Sequence, residues 1–219
     1  MKINSNKVQK IVVLISSIVF FVLPLLFFVW LFKSPYFSVV DDWIKTNKTI
    51  YITSLLIYKT IGVLYPPIPA GILTMASVPF LGWVTAYLVD FVGSLMGGVI
   101  AYYLGRKYGL KLLKFVLGEK VANKVSTIKV KKDKEIEAIF VYRLAFGSTI
   151  LEAIYYGAGL LQIGLKNFII GSALSHMVLG IPSFYFINSV FSGGNIYITV
   201  ILTIIGVVIV YLTKSRYIE

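Results

Sequence analysis

Lys59, Asp90, Arg143, Glu152 and His176 are the acidic and basic side chains that stand inside otherwise apolar stretches of this chain. A charge at the centre of a lone membrane helix costs about 2.5–3.5 kcal/mol on insertion scales, so each marks a candidate for function. Arg143 leads, because its rigid guanidinium fork can hold a phosphate through two parallel hydrogen bonds. Its plain alternative is an arginine snorkelling to a nearby interface. Glu152 follows Thr149 by three residues, and Thr-x-x-Glu is the pattern of a capping box that opens a half-helix. Glu152 reads equally well as the partner of Arg143 or as a proton-exchanging acid. Either way, the amino end of that half-helix offers free N–H groups and partial positive charge to an anion. Asp90 comes three residues before Gly93, and Gly93, Gly97, Ala101 and Gly105 recur every fourth residue, a bare helix face on which another backbone can pack. Asp90 is therefore expected to point into protein and to pair with Lys59 or Arg143, as a structural ion pair or as part of a transport site. Lys59 can snorkel outward and ranks lowest. A lone histidine in a span, such as His176, is more often packed or hydrogen-bonded than a switch.

Other chemistries find too few residues. One histidine and no cysteine cannot make the usual metal site, and no metal or other cofactor is expected. Ser175 and His176 are adjacent, so on a helix they face different ways and do not form a nucleophile–base pair. No Gly-x-Ser-x-Gly elbow and no phosphate loop of Walker type is present. The expectation is a protein that is not an enzyme.

Membrane solvent explains the elements that must hold these residues. Only 14% of the 219 residues are charged, well below the roughly 25% of soluble domains. The 22 residues between Lys10 and Lys33 carry no charge, enough to cross about 30 Å of hydrocarbon. That stretch contains Pro24 and runs into Lys33-Ser34-Pro35 without a small-x-small cleavage site, so it reads as a retained span. From Asn167 to Thr213 another 47 residues hold no charge except a proton on His176, and Ser192-Gly-Gly-Asn195 divides them into two spans. Gly82 to Gly105 is a fourth. Residues 33–48 read as a short polar connection with Asp41 and Asp42, and Thr49–Tyr58 as an apolar piece too short to span, ending at Lys59.

Two apolar segments are broken. Pro66, Pro67 and Pro69 with Gly71 exclude a continuous helix, yet the stretch is too apolar for an aqueous loop. Irregular backbone at membrane depth survives where protein or a water-filled cavity covers it, so a re-entrant hairpin is expected. Ala138–Leu165, interrupted by Arg143, Gly147 and Glu152, is one poor span or a second hairpin turning near Gly147-Ser148-Thr149. Tyr58-Lys59 before the first break echoes Tyr142-Arg143 before the second, and paired breaks in corresponding halves point to a transporter site near the bilayer midplane. The net charge of +12 does not indicate nucleic acid, because ten of the 21 Lys/Arg lie between Arg106 and Lys134 and others flank the first and last spans. That distribution places both termini and the loop 106–137 in the cytoplasm. Within the loop, Leu110, Leu113 and Leu117 share a side, as in a short helix lying on the inner membrane surface; a solvated charged loop is the alternative. The fold expected is an all-α polytopic membrane protein: about four transmembrane helices plus two opposed re-entrant hairpins, in one integral domain over residues 1–219.

Tyr65-Pro-Pro-Ile-Pro69, followed by a glycine-rich helix closing on Tyr102-Tyr-Leu-Gly-Arg-Lys-Tyr-Gly109, resembles the first half of DedA/VTT-domain (SNARE-associated Golgi protein) membrane proteins. Tyr142-Arg143 and Tyr155-Tyr-Gly-Ala-Gly159 resemble the second half, and the likeness covers residues 45–195 or so. The resemblance implies two facing hairpins and the movement of lipids or lipid-linked phosphates between leaflets, by a translocase or scramblase. Some bacterial members depend on acids in the first hairpin and an arginine pair in the second. Here Arg143 matches the first arginine, Thr149 stands about where the second would be, and Ala70-Gly71 occupy the acidic place. The expected partners are membrane lipids with anionic or phosphate-bearing headgroups, and protons; a homo-oligomer is compatible. The expected location is the plasma membrane of a prokaryote. A proton- or ion-coupled carrier of a small solute and a non-transporting membrane scaffold are the alternatives.

Overall fold

The structure is a computed structural model that describes residues 27, 30–65, 70–146, 151–192, 197, 201, 204 and 205. Pro66, Pro67, Pro69, Gly147 and Thr149 lie outside the described residues, as do most of the expected first and last spans. The chain forms two units, residues 1–51 and 52–219. The described residues form helices and the turns between them, with no strand among them.

In the first unit, the stretch expected to be a polar connection is instead a helix, α1, Tyr36–Thr46. Pro35 at its N-cap has the φ a helix start needs, and Asp41 pairs with Lys45 one turn on at 2.6 Å. Tyr36, Val39 and Trp43 recur at helical spacing and are exposed. Two charged residues within such an apolar stripe look like a loop in composition, but their spacing supports a helix.

Helix α2, Lys48–Leu64, starts in the first unit and runs on into the second. It does not stop at Lys59, as expected, but carries that lysine in its interior. Beyond the proline run come α3, Ala70–Ala76, and α4, Val78–Leu81, which ends at Gly82. The long α5, Trp83–Leu117, follows; it bends at Gly109, whose φ of 58° and ψ of −145° no side-chain-bearing residue adopts without strain. Helix α6 is Glu119–Ser126, and a 3₁₀ turn at Lys132–Lys134 leads into α7, Glu135–Phe146. Helices α8, Leu151–Leu160, and α9, Leu165–Ser192, complete the described second unit. At 12 and 10 residues, α7 and α8 are each shorter than a span. The expected turn at Ser192-Gly-Gly-Asn195 lies, beyond Ser192, outside the described residues.

Among the described residues, two helices are long and apolar enough to cross a membrane, Trp83–Leu117 and Leu165–Phe191. The distribution of side chains around α5 supports a membrane more strongly than its length does. Val84, Leu88, Val92, Met96 and Ile100 form an exposed apolar stripe, while Asp90, Ser94 and the glycines face inward and are buried. A soluble protein would reverse that order.

The glycine face makes close contact, as its spacing requires. A Cβ at Gly97 would lie 2.7 Å from the Thr60 carbonyl oxygen on α2, and one at Gly105 would overlap the Tyr156 carbonyl on α8. Gly159 is the reciprocal point: its Cβ would overlap the Tyr102 carbonyl on α5. Around this crossing lies an aromatic core in which Tyr102 stacks on Phe168 at 5.2 Å and Tyr155 meets Phe168 edge-on at 5.6 Å. The polar tips are satisfied across the fold: the Tyr102 hydroxyl donates to the Ile163 carbonyl at 2.6 Å, and that of Tyr156 to the Leu64 carbonyl at 2.9 Å. The leucine stripe beyond Gly109 joins this core, with Leu113 fully buried, so it does not lie on a lipid surface as expected. The residue of that stretch turned outward is Phe115, 88% exposed, between Lys111 and Lys114 on one side and Gly118 on the other.

Candidate functional site

Six elements bring polar groups to one place in the second unit. Lys59 from α2 is 6% exposed, Asp90 from α5 is 4%, Arg143 from α7 is 3% and His176 from α9 is 9%. Lys59 reaches this place because Gly93 leaves room: a Cβ there would lie 2.6 Å from the lysine Cγ, so the stem lies flat against α5. Its ammonium then pairs with Asp90 Oδ1 at 2.6 Å. From α3, Thr74 donates its hydroxyl to the same oxygen, and Gly71 lies beside the ammonium, 3.8 Å from where its Cβ would be. Of the two readings of Lys59, the structure shows pairing with Asp90 and not snorkelling outward: a carboxylate one helix away holds it inside.

Arg143 lies on the opposite side of the cluster. Its Nη1 donates to the Ser172 carbonyl at 2.6 Å and its Nη2 contacts His176 Nδ1 at 2.6 Å, with the Tyr155 ring 5.2 Å beneath the guanidinium. Arginine carries only donors and keeps its proton, so His176 Nδ1 must be the acceptor and the imidazole neutral, protonated at Nε2. That Nε2 stands 3.1 Å from Asp90 Oδ2, within ion-pair distance but without the alignment of a formed hydrogen bond. Tyr87 stacks on the imidazole at 5.8 Å, and Phe91 meets both rings at a tilt, 5.4 Å from the imidazole and 5.9 Å from Tyr87. A chain of polar contacts therefore runs Lys59–Asp90–His176–Arg143 through the interior.

Of the sequence candidates, Asp90 and Arg143 meet in this cluster, but through His176 and not directly. Glu152 is half-buried at the start of α8 and forms no hydrogen bond or ion pair with Arg143, whose fork is turned to α9. Thr149 lies outside the described residues, and with it the capping box. His176 is the central member that its type alone did not single out. Nothing in the local sequence marks Thr74 or the Ser172 carbonyl, and Tyr155 was marked only as part of a family motif; the packing of α3, α8 and α9 brings them to the site. Charge balance is uneven: two cations face one carboxylate, and Arg143 has no acidic partner among the described residues. Near it, the hydroxyls of Tyr87, Tyr155 and Ser172 are buried without hydrogen-bond partners among the described residues. Orphaned donors beside an unpaired cation are suited to an anion with several acceptor oxygens.

The family model of the VTT domain matches residues 68–189, more than half of the chain and every member of the cluster but Lys59. No curated protein and no solved structure matches the chain.

Proposed function

The chain belongs to the VTT-domain family of membrane proteins, and from that premise we propose that it moves a lipid or lipid-linked phosphate between the leaflets of the bilayer. One observation carries this reading: Arg143 is buried in a membrane protein with no carboxylate to neutralise it among the described residues. An unpaired charge in that position is costly, and a ligand phosphate is a counterion that would relieve the cost on arrival. Two of the five guanidinium N–H groups are engaged by Ser172 and His176, which leaves donors for a phosphate oxygen. The hydroxyls of Tyr87, Tyr155 and Ser172 can add to them. Lys59 and Asp90 neutralise each other and hold α2 and α3 against α5, the wall of the path. Glu152 at the start of α8 tunes the approach.

The proposed architecture has about four spans and two opposed hairpins, with both termini and the loop 106–137 cytoplasmic in a prokaryotic plasma membrane. The chain has no cysteine, so single cysteines test this directly. Thiol reagents added outside should label cysteines placed at Ser34 and Asn195 and spare one at Lys120; labelling at Lys120 would overturn the topology.

The function is tested by leaflet exchange of a fluorescent phospholipid in liposomes holding the purified protein. Exchange that disappears in Arg143→Ala supports the site; exchange indifferent to that change removes it. No exchange with correctly oriented protein moves the substrate from phospholipid to a polyprenyl phosphate. The Asp90–His176 contact favours a second reading, a proton-coupled carrier of a small solute, in which uptake would require a pH gradient and lipid exchange would be absent.

A further inference from the structure

A second place in the second unit combines apolar walls with positive charge. A cavity of about 530 Å³ lies between α6, the segment after it, α7 and α8. Small residues create it: Ala153 and Gly157 follow each other by one turn on α8, and Val125 of α6 leans in until a Cβ at Gly157 would stand 2.7 Å from it. Ile139 of α7 and Ile154 of α8 give it hydrocarbon walls, and Lys120 and Lys124, one turn apart and exposed on α6, line its edge. Water gains little in such a space, because it needs two to four polar partners. The volume is that of a ligand pocket. Helix α6 follows α5 across Gly118, and its two lysines belong to the run of ten Lys/Arg between Arg106 and Lys134, the segment whose charge suits anionic headgroups at a membrane surface.

We propose that this cavity holds one hydrocarbon chain of a lipid whose anionic phosphate headgroup lies against Lys120 and Lys124. The apolar walls account for the chain and the paired ammoniums for the head; neither half of the site explains the other. This is a holding site separate from the Arg143 cluster, and it does not depend on transport.

The test uses the full chain in phosphatidylcholine vesicles with a trace of phosphatidylglycerol or phosphatidylcholine bearing a photoreactive diazirine at the end of one acyl chain. Peptide mass spectrometry then locates the adducts. Adducts should concentrate on the α7 and α8 walls, around Ile139 and Ile154, and be about thirtyfold more abundant from the phosphatidylglycerol probe, the preference two nearby lysines supply. Lys120→Glu with Lys124→Glu should reduce them to the phosphatidylcholine level, and inorganic phosphate should not compete. Equal labelling by the two probes in the native protein overturns the charge half of the proposal, whether or not the double variant folds. Labelling confined to the exposed stripe of α5, or suppressed by inorganic phosphate, overturns the chain half. Leaflet exchange can fail while this labelling succeeds, and the reverse, so the two proposals stand or fall apart.

Discussion

The two broken segments of the second unit are built alike and charged differently. In each, a helix that precedes the break carries a buried cation, Lys59 on α2 or Arg143 on α7, and leans on a glycine of the long helix that follows. The Thr60 carbonyl lies 2.7 Å from where a Cβ on Gly97 would stand, and the Ile136 carbonyl is equally close to the same point on Gly171. In each, the cation reaches a polar side chain on that long helix, Asp90 or His176. The difference is the partner's charge. Lys59 faces a carboxylate, whereas Arg143 faces a neutral imidazole and a carbonyl, with Glu152 of α8 not paired to it among the described residues. The two cations thus differ in their partners, Lys59 held by a carboxylate and Arg143, in the function proposed above, left for an anion.

The largest effect should come from breaking the Lys59–Asp90 pair. Asp90→Ala leaves the Lys59 ammonium buried without a partner and should cost about 3–5 kcal/mol of stability in detergent unfolding. Replacing both members, Lys59→Met with Asp90→Leu, should return stability to within about 1 kcal/mol of the native protein, because an apolar pair of similar size needs no desolvation. Thr74 would keep the Ala70 and Gly71 carbonyls as acceptors. If the double variant also keeps lipid exchange, the structural role of the pair is established; if it is stable but inactive, the two halves share the function and the contrast between them is broken.

The next effect belongs to the second cation. Arg143→Lys preserves the charge and loses the fork, so exchange should fall about tenfold while stability changes by less than about 1.5 kcal/mol. A large loss of stability with exchange per folded molecule intact would make Arg143 a structural residue like Lys59. The smallest effect is expected from His176→Gln. A glutamine carbonyl can accept from Arg143 and its amide can donate to Asp90, so both stability and exchange should stay within about twofold to threefold of native. A collapse of exchange in this variant would show that the imidazole's ability to change protonation matters, and would favour the proton-coupled carrier.

Much of this was readable in the residues. The fourfold spacing of Gly93, Gly97, Ala101 and Gly105 announced a close helix crossing, and the burial of Asp90 followed from its place on that face. Three readings failed for one reason, that each judged a residue by its own segment. Lys59 looked like the end of a short helix, although its pairing with Asp90 was one of the two pairings expected. The stretch with Asp41 and Asp42 looked like a loop because its charges were counted and not their spacing to Lys45. Leu113 looked lipid-facing because the protein surface that covers it comes from helices far along the chain.

The sequence by itself determined the solvent, the helical class and the residues worth watching, because hydrocarbon tolerates few charges and local spacing fixes helix faces. Tertiary structure alone decided the pairing: which cation found a carboxylate, and that His176 stands between Asp90 and Arg143. Coulomb and hydrogen-bond energies depend on distances of a few ångströms between residues some 30 positions apart, such as Lys59 with Asp90 and Arg143 with His176. Only the packing of α2, α5, α7 and α9 sets those distances.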